Sequence, residues 1–275
     1  MTLTSPRFSS NKQLQNAANN TPPLKQGDRG NAVHLIQFAF IDLGYSLPIS
    51  TAKIQLSPDG IFGNETLAKI KEFQKRNSLL DDGIVGKNTM QAFNRLLSNY
   101  KHRVRLHFRS IALQNVFFQT TLKSTQLVYA QYGIKIEFGS GQSLLLTPDQ
   151  MNIFDKIDGE CNWSITDGEY NQLHNLGNRC PPNEVLVYYV KKLHDALGCG
   201  GHAPKRPAVT VAAKASQWDT AHEVGHVLLG SGFRPVHSAH LGNLMHESAS
   251  TYFQTPILTD KQIKQMRKHI CCIPI

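Results

Sequence analysis

Apolar residues recur at helical spacing three times in the first hundred positions. Val33, Ile36, Phe40 and Leu43 line one face of a segment that follows the Gly27-Asp28-Arg29-Gly30 turn and stops at Gly44. Leu67, Ile70 and Phe73 mark a second helix, and Met90, Phe93, Leu96 and Leu97 a third. Beyond Tyr100 the period shortens from about 3.6 to about 2. Val104, Leu106 and Phe108 alternate with Arg103, Arg105, His107 and Arg109, the pattern of a strand with one buried and one solvated face. The chain then predicts a helix over 113–131 with Val116, Phe117, Leu127 and Val128 as core positions, and strands over 133–138, 185–190 and 208–212. A helix over 217–229 and a closing helix after Thr259 complete the order. Residues 140–182 read as loop-rich and Gly198–Gly201 as a turn or loop. The expectation is an α+β protein: a polar, disordered tail over 1–23, a small three-helix domain over 24–98, and a larger domain over 101–275.

Composition supports two packed domains. The chain has 275 residues, 40% hydrophobic and 18% charged, enough apolar material for sizeable cores and too little charge for bulk disorder. No window of about 18 consecutive apolar residues is present, so the chain does not read as membrane-spanning. The net charge of +9 favours an anionic partner. The basic run at Arg103–Arg109 lacks the interleaved aromatics of a stacking platform, so nucleic acid is not expected. Met1–Gln26 holds no apolar stretch of the kind a secretory signal needs; unconventional export, a removed leader and an internal location stay open. Cys161, Cys180, Cys199, Cys271 and Cys272 lack Cys-x-x-Cys spacing, and their odd number leaves at least one thiol unpaired within the chain.

Reactive chemistry concentrates at His222-Glu223-Val224-Gly225-His226. Residues four apart share a helix face, so His222 and His226 can offer two imidazoles to one ion while Glu223 stands beside them. Val227, Leu228 and Leu229 follow without a polar break, so the helix is buried at its end, and a buried stretch that carries three polar side chains needs a ligand for them. A catalytic Zn2+ site takes three protein ligands and leaves one position open to water, with a general base at hand. The third ligand must follow Gly230, from His237, His240, His246 or Glu247.

Two resemblances sharpen these readings. Leu24-x-x-Gly27-x-x-Gly30, then Asp59-Gly60-Ile61-Phe62-Gly63 and, 23 residues on, Asp82-Gly83-Ile84-Val85-Gly86, each turn opening a Thr-led helix, resemble a peptidoglycan-binding domain of the three-helix type over 24–98. The resemblance implies cell-wall binding and an extracellular or wall-associated location. Matrix metalloproteinase prodomains resemble the same module, which leaves an inhibitory role as the alternative. The second half resembles the metzincin zinc endopeptidases, whose pattern is His-Glu-x-x-His-x-x-Gly-x-x-His followed by a turn holding Met. Here Gly230 stands one place late and Ser231–Val236 is inserted, but His237-Ser-Ala-His240-Leu-Gly-Asn-Leu-Met245 is similar to the matrix-metalloproteinase segment in composition and spacing.

The resemblance implies Zn2+ held by His222, His226 and His237, with His240 the runner-up third ligand. It makes Glu223 the catalytic base and Met245 an apolar floor that is not a ligand. It also implies a metzincin-like catalytic domain with a mixed, mostly parallel sheet packed on helices, in which Val209–Ala213 is the edge that binds extended substrate. The function so implied is hydrolysis of peptide bonds in protein substrates, with peptidoglycan stem peptides or a non-catalytic wall-binding protein as alternatives. Arg179-Cys180-Pro181 is similar to the cysteine switch of those prodomains, but it lies inside the catalytic half and lacks the following Gly, so a disulfide or plain loop cysteine is the expected role.

Overall fold

The computed structural model describes residues 1–52 and 57–275. It divides into two compact units, the first built mainly from residues 1–101 and the second mainly from residues 102–258. Among the described residues, no helix is long and apolar enough to cross a membrane.

Among the described residues, four helices form the body of the first unit: α1 (Lys12–Ala17), α2 (Asn31–Asp42), α3 (Asn64–Arg76) and α4 (Lys87–Leu96). The expected disordered tail over 1–23 is therefore corrected. Asn11 caps α1 by accepting a hydrogen bond from Leu14 N, and Leu3, Phe8, Leu14 and Ala17 are buried in the common core. A short, polar-looking segment is ordered here because its few apolar residues meet a ready-made surface, Phe8 lying edge-on to Phe93. At the centre Phe73 and Phe93 stack at 4.0 Å, and Phe40 meets both edge-on.

α3 and α4 begin two residues before the threonines expected to lead them. Gly63 and Gly86 occupy the N-cap positions, and Thr66 and Thr89 turn inward. The reason is a repeated clasp. The buried Gln37 amide donates to Asp59 Oδ1 (2.9 Å), Ile61 O (3.1 Å) and Thr66 Oγ1 (3.0 Å), and its oxygen accepts from Gly60 N (2.9 Å). Gln74 repeats this on Asp82 (2.8 Å), Ile84 O (2.9 Å), Thr89 (3.1 Å) and Gly83 N (2.8 Å). Each clasp satisfies turn groups that burial would otherwise strand. Gln74→Ala is expected to destabilise this unit by about 2–4 kcal/mol, with Lys75→Ala, on the exposed side of the same helix, near neutral in denaturant unfolding.

The second unit is an α/β layer. Its sheet runs β2 (Ile134–Ser143), β1 (His102–Ser110), β3 (Val185–Val190), β5 (Ala208–Ala212), β4 (Gly198–Cys199). The first four strands are parallel, β4 is antiparallel to β5, and β6 (Ile273–Pro274) pairs antiparallel with the start of β1. Every residue of β3 and β5 is buried, as strands covered on both faces require. Around the sheet lie α5 (Phe118–Ala130), α6 (Pro148–Ile153), α7 (Gly168–His174) and α8 (Asp219–Leu229), and the division between the two units falls within α9 (Asp260–Met266). The polar face of β1 carries ion pairs from Arg103 and Arg105 to Glu137, which Lys135 and these arginines hold down to about 2.

Three expectations change. The helix over 113–131 starts only at Phe118, leaving Phe117 exposed rather than in the core, and Val116 and Leu127 only half-buried. The expected loop at Gly198–Gly201 begins with strand β4, because Gly198 and Cys199 pair with Val211 and Thr210. For the same reason Val209–Ala213 is not the sheet edge: β5 lies between β3 and β4, and the edge passes to β4.

Beneath β3 and β5, His174 is sealed in the core, its Nε2 against Thr210 Oγ1 at 3.0 Å and its ring stacked on Tyr188. Burial, with Arg206 and His202 adding to it, lowers its pKa to about 3. The folded ring stays neutral while the unfolded chain takes a proton below pH about 6.5, so this stability is complete above that pH and is lost as pH falls towards 3. Between pH 7 and pH 4 we expect a loss of about 3 kcal/mol, which His174→Gln removes in denaturant titrations at the two pH values.

Candidate metal centre

α8 carries the His-Glu-x-x-His segment, and all eleven of its residues are buried. Asp219 fixes its first turn by accepting from Ser216 N and Oγ, both at 2.7 Å. Gly230 ends it at φ 74°, a left-handed backbone that glycine adopts without penalty. Tyr129 of α5 donates to Ala221 O at 2.9 Å and so ties the helix backbone in place.

The histidines converge. His222 Nε2 lies 3.0 Å from His226 Nε2, which lies 3.2 Å from His237 Nε2. Two nitrogens bound to one tetrahedral ion at 2.0–2.1 Å sit about 3.3–3.4 Å apart, so the spacing suits a common ligand better than three mutually repelling lone pairs. His222 Nδ1 donates to Leu244 O at 2.6 Å, which fixes the proton on Nδ1 and leaves Nε2 as a donor to metal. Burial lowers the pKa of His222 to about 4 and of His226 to about 2, and depresses that of half-buried His237. All three are therefore neutral at pH 7, the form that binds a metal ion. The donor set fits a Zn2+ ion, and three ligands leave a position free for water or substrate. His240 is outside this cluster; its backbone N donates to Ser238 Oγ instead.

Glu223 is 5% exposed, and burial, reinforced by Asp219, raises its pKa well above the usual carboxylate value. It faces the edge strand: a Cβ placed on Gly198 would lie 2.3 Å from Glu223 Oε1. A Cβ on Gly200 would lie 2.5 Å from His226 Cβ. Neither glycine has a positive φ; what each supplies is close approach of main chain to the site. Below the helix, a Cβ on Gly225 would meet Met245 Sδ at 2.5 Å, so the fully buried Met245 floors the turn between the two histidines. The loop carrying Met245 is pinned by Ser238 N to Met245 O (2.7 Å) and Leu244 N to Ile257 O (2.8 Å).

Two cavities flank the three histidines. One, of about 270 Å3, is bounded by Trp163, Val236, Gly200 and Gly201 and by Cys161. The other, of about 570 Å3, is bounded by Leu193, Leu197, Asp195, Asp219 and Glu247. Cys161 and Cys199 form a disulfide, whereas Cys180, Cys271 and Cys272 are free. Cys180 lines a separate cavity beside Arg179 and Arg206, and its Sγ lies 3.5 Å from Glu184 O. Sequence reasoning missed Trp163, the Leu244 carbonyl and the disulfide. The two site glycines had a visible signal in the run Gly198-Cys199-Gly200-Gly201, dense in residues that admit close backbone approach.

Residues 29–93 match the family model described as “Putative peptidoglycan binding domain”. Among solved structures, the chain is similar to a peptidoglycan-binding protein from Clostridioides difficile crystallised with glutamine hydroxamate: 29% identity, 28% of this chain, 44% of that one, TM-score 0.24. It is also similar to metalloproteinase-II from Bacteroides fragilis: 13% identity, 63% of this chain, 54% of that one, TM-score 0.39. The chain thus spans about half the length of each.

Proposed function

We propose that the second unit is a zinc-dependent endopeptidase and that residues 24–98 hold it on peptidoglycan. The observation that carries the first part is the convergence of His222, His226 and His237 through Nε2 with Glu223 beside them. The family match over residues 29–93 supports the second.

His222, His226 and His237 would hold the ion, and Zn2+ so bound supplies Lewis acidity towards a carbonyl oxygen and acidifies water. The chain's own residues do the rest. Glu223, beside the three histidines and shielded from solvent, is placed to take a proton from the attacking water and hand it to the leaving amine. Gly198 and Gly200 bring backbone against the catalytic groups, and β4, the edge strand, offers main chain for pairing with an extended substrate. Zn2+ and a protein or peptide substrate are then the ligands of this unit, and the location is the cell wall or the space outside the cell.

The family match also favours the stem peptides of peptidoglycan as a second class of substrate. Both are tested by mass-spectrometric mapping of new termini after the zinc-loaded chain meets a protein mixture or purified sacculi, with Glu223→Ala as control. Cleavages absent from the control support a peptidase, and their location names the substrate. Identical termini in both samples refute it, provided removal of residues 1–98 releases no activity. Failure of residues 24–98 to retain the chain on sacculi refutes the anchoring role and turns the reading towards an inhibitory domain.

A further inference from the structure

The two cavities beside the three histidines differ in charge. One holds Asp195, Asp219 and Glu247. The other has no Lys, Arg or Asp among its lining residues; apart from the histidines and Glu223 it is walled by Trp163, Val236, Asn162, three glycines and Cys161. Glu223, common to both cavities, is the charge at its inner end; beyond it Trp163 and Val236 offer an apolar surface, where an apolar side chain gains contact and a charged one loses water. We propose that this cavity receives an apolar side chain of the substrate on one flank of the scissile bond, and that Trp163 and the Cys161–Cys199 disulfide are its specificity-determining wall. This rests on the endopeptidase reading.

The disulfide matters because of what it tethers. Residues 160–165 form no helix or strand, yet they carry Trp163, whose ring meets the His226 ring edge-on at 5.9 Å. Three ties hold the segment. Cys161 is bonded to Cys199 of β4, Ser164 bridges His202, and Ile165 N reaches His202 O at 3.3 Å. Asn162 O approaches so closely that a Cβ on Gly201 would lie 2.0 Å from it. Breaking the disulfide releases the tie next to Trp163 and removes none of the three metal-binding side chains. A trialkylphosphine would do this in water: the Sγ–Sγ bond breaks, two Sγ–H groups form, and phosphorus is oxidised to the phosphine oxide with oxygen taken from water. Cys161 is exposed to such a reagent.

The test uses zinc-loaded full-length chain with peptides that vary one position at a time, on either side of the cleaved bond, among Leu, Phe, Ala, Lys and Glu. Wild type, Trp163→Ala, Cys161→Ser/Cys199→Ser and phosphine-reduced wild type are compared by kcat/KM. The same peptides are titrated calorimetrically into Glu223→Ala forms of each, and zinc content is measured throughout. Wild type is expected to favour Leu or Phe over Lys or Glu by about tenfold or more at one position, the scale on which apolar pockets discriminate. All three altered proteins are expected to retain zinc and lose most of that preference, with the other flank unchanged. Undiminished preference in Trp163→Ala that still binds zinc overturns the inference, even if the cysteine variant fails to fold. Cleavage of no peptide sinks the endopeptidase reading instead; calorimetry then still reads the cavity, and equal or absent binding of Leu and Lys peptides overturns the inference as well.

Discussion

Alanine at His237 will weaken zinc binding by more than about a hundredfold in a competitive chelator titration, whereas His240→Ala will bind zinc as the parent does. The lower bound is set by outer-shell partners, whose loss alone costs about 10–100-fold; removing a ligand removes a bond as well. The two residues are three apart, so the pair also controls for any general loosening of the loop after Gly230. The geometry makes the contrast sharp. His237 Nε2 lies 3.2 Å from His226 Nε2, while His240 is outside the cluster. Equal loss of zinc in both variants would mean that the loop, not the ligand, had failed; loss in His240→Ala alone would reverse the assignment.

Glu223→Gln should lower kcat by about 10²–10⁴-fold, the usual contribution of a positioned general base, while zinc content stays that of the parent. Glutamine keeps the shape of the side chain that packs against Gly198 but has no basic carboxylate. KM should move little, because glutamine keeps the volume that Glu223 presents to both flanking cavities and only proton transfer changes. A full loss of zinc in this variant would show that the carboxylate serves metal retention and would remove it from its proposed role.

Legibility differed by the range of the interactions involved. The helix faces of α2, α3 and α4, the alternation of β1 and the His222–His226 spacing are local, and a local period is visible in a single chain. The turn glycines at 60 and 83 were equally plain, each with a positive φ. What escaped was non-local. Gln37 and Gln74 look like ordinary polar helix residues until the turns they clasp fold back on them. Leu3, Phe8 and Leu14 are too sparse to suggest a core by themselves. Phe117, apolar and next to a helix, reads as core but stands exposed because α5 starts one residue later. The edge of the sheet was misplaced for a similar reason: a two-residue strand has no periodicity, and only its pairing with Thr210 and Val211 reveals it.

The same distinction held at the site. His222, Glu223 and His226 declare themselves by spacing on one helix. The nomination of His237 depended on reading through the inserted Ser231–Val236, and the structure places its ring against the other two. Trp163 and the Leu244 carbonyl had no signal, since one is a lone aromatic in a loop and the other is main chain.

The glycine-lined edge strand has a practical consequence. At 198 and 200 it is backbone that meets Glu223 and His226, so there is no side chain to exchange there, and any residue larger than glycine would collide with one of the two. On the proposed reading, redesign of substrate choice is thereby channelled to the two flanking cavities, to positions 163 and 236 in one and 195 and 247 in the other. Gly198→Val, by contrast, would set a side chain against the Glu223 carboxylate and close the space beside it while leaving all three histidines in the sequence.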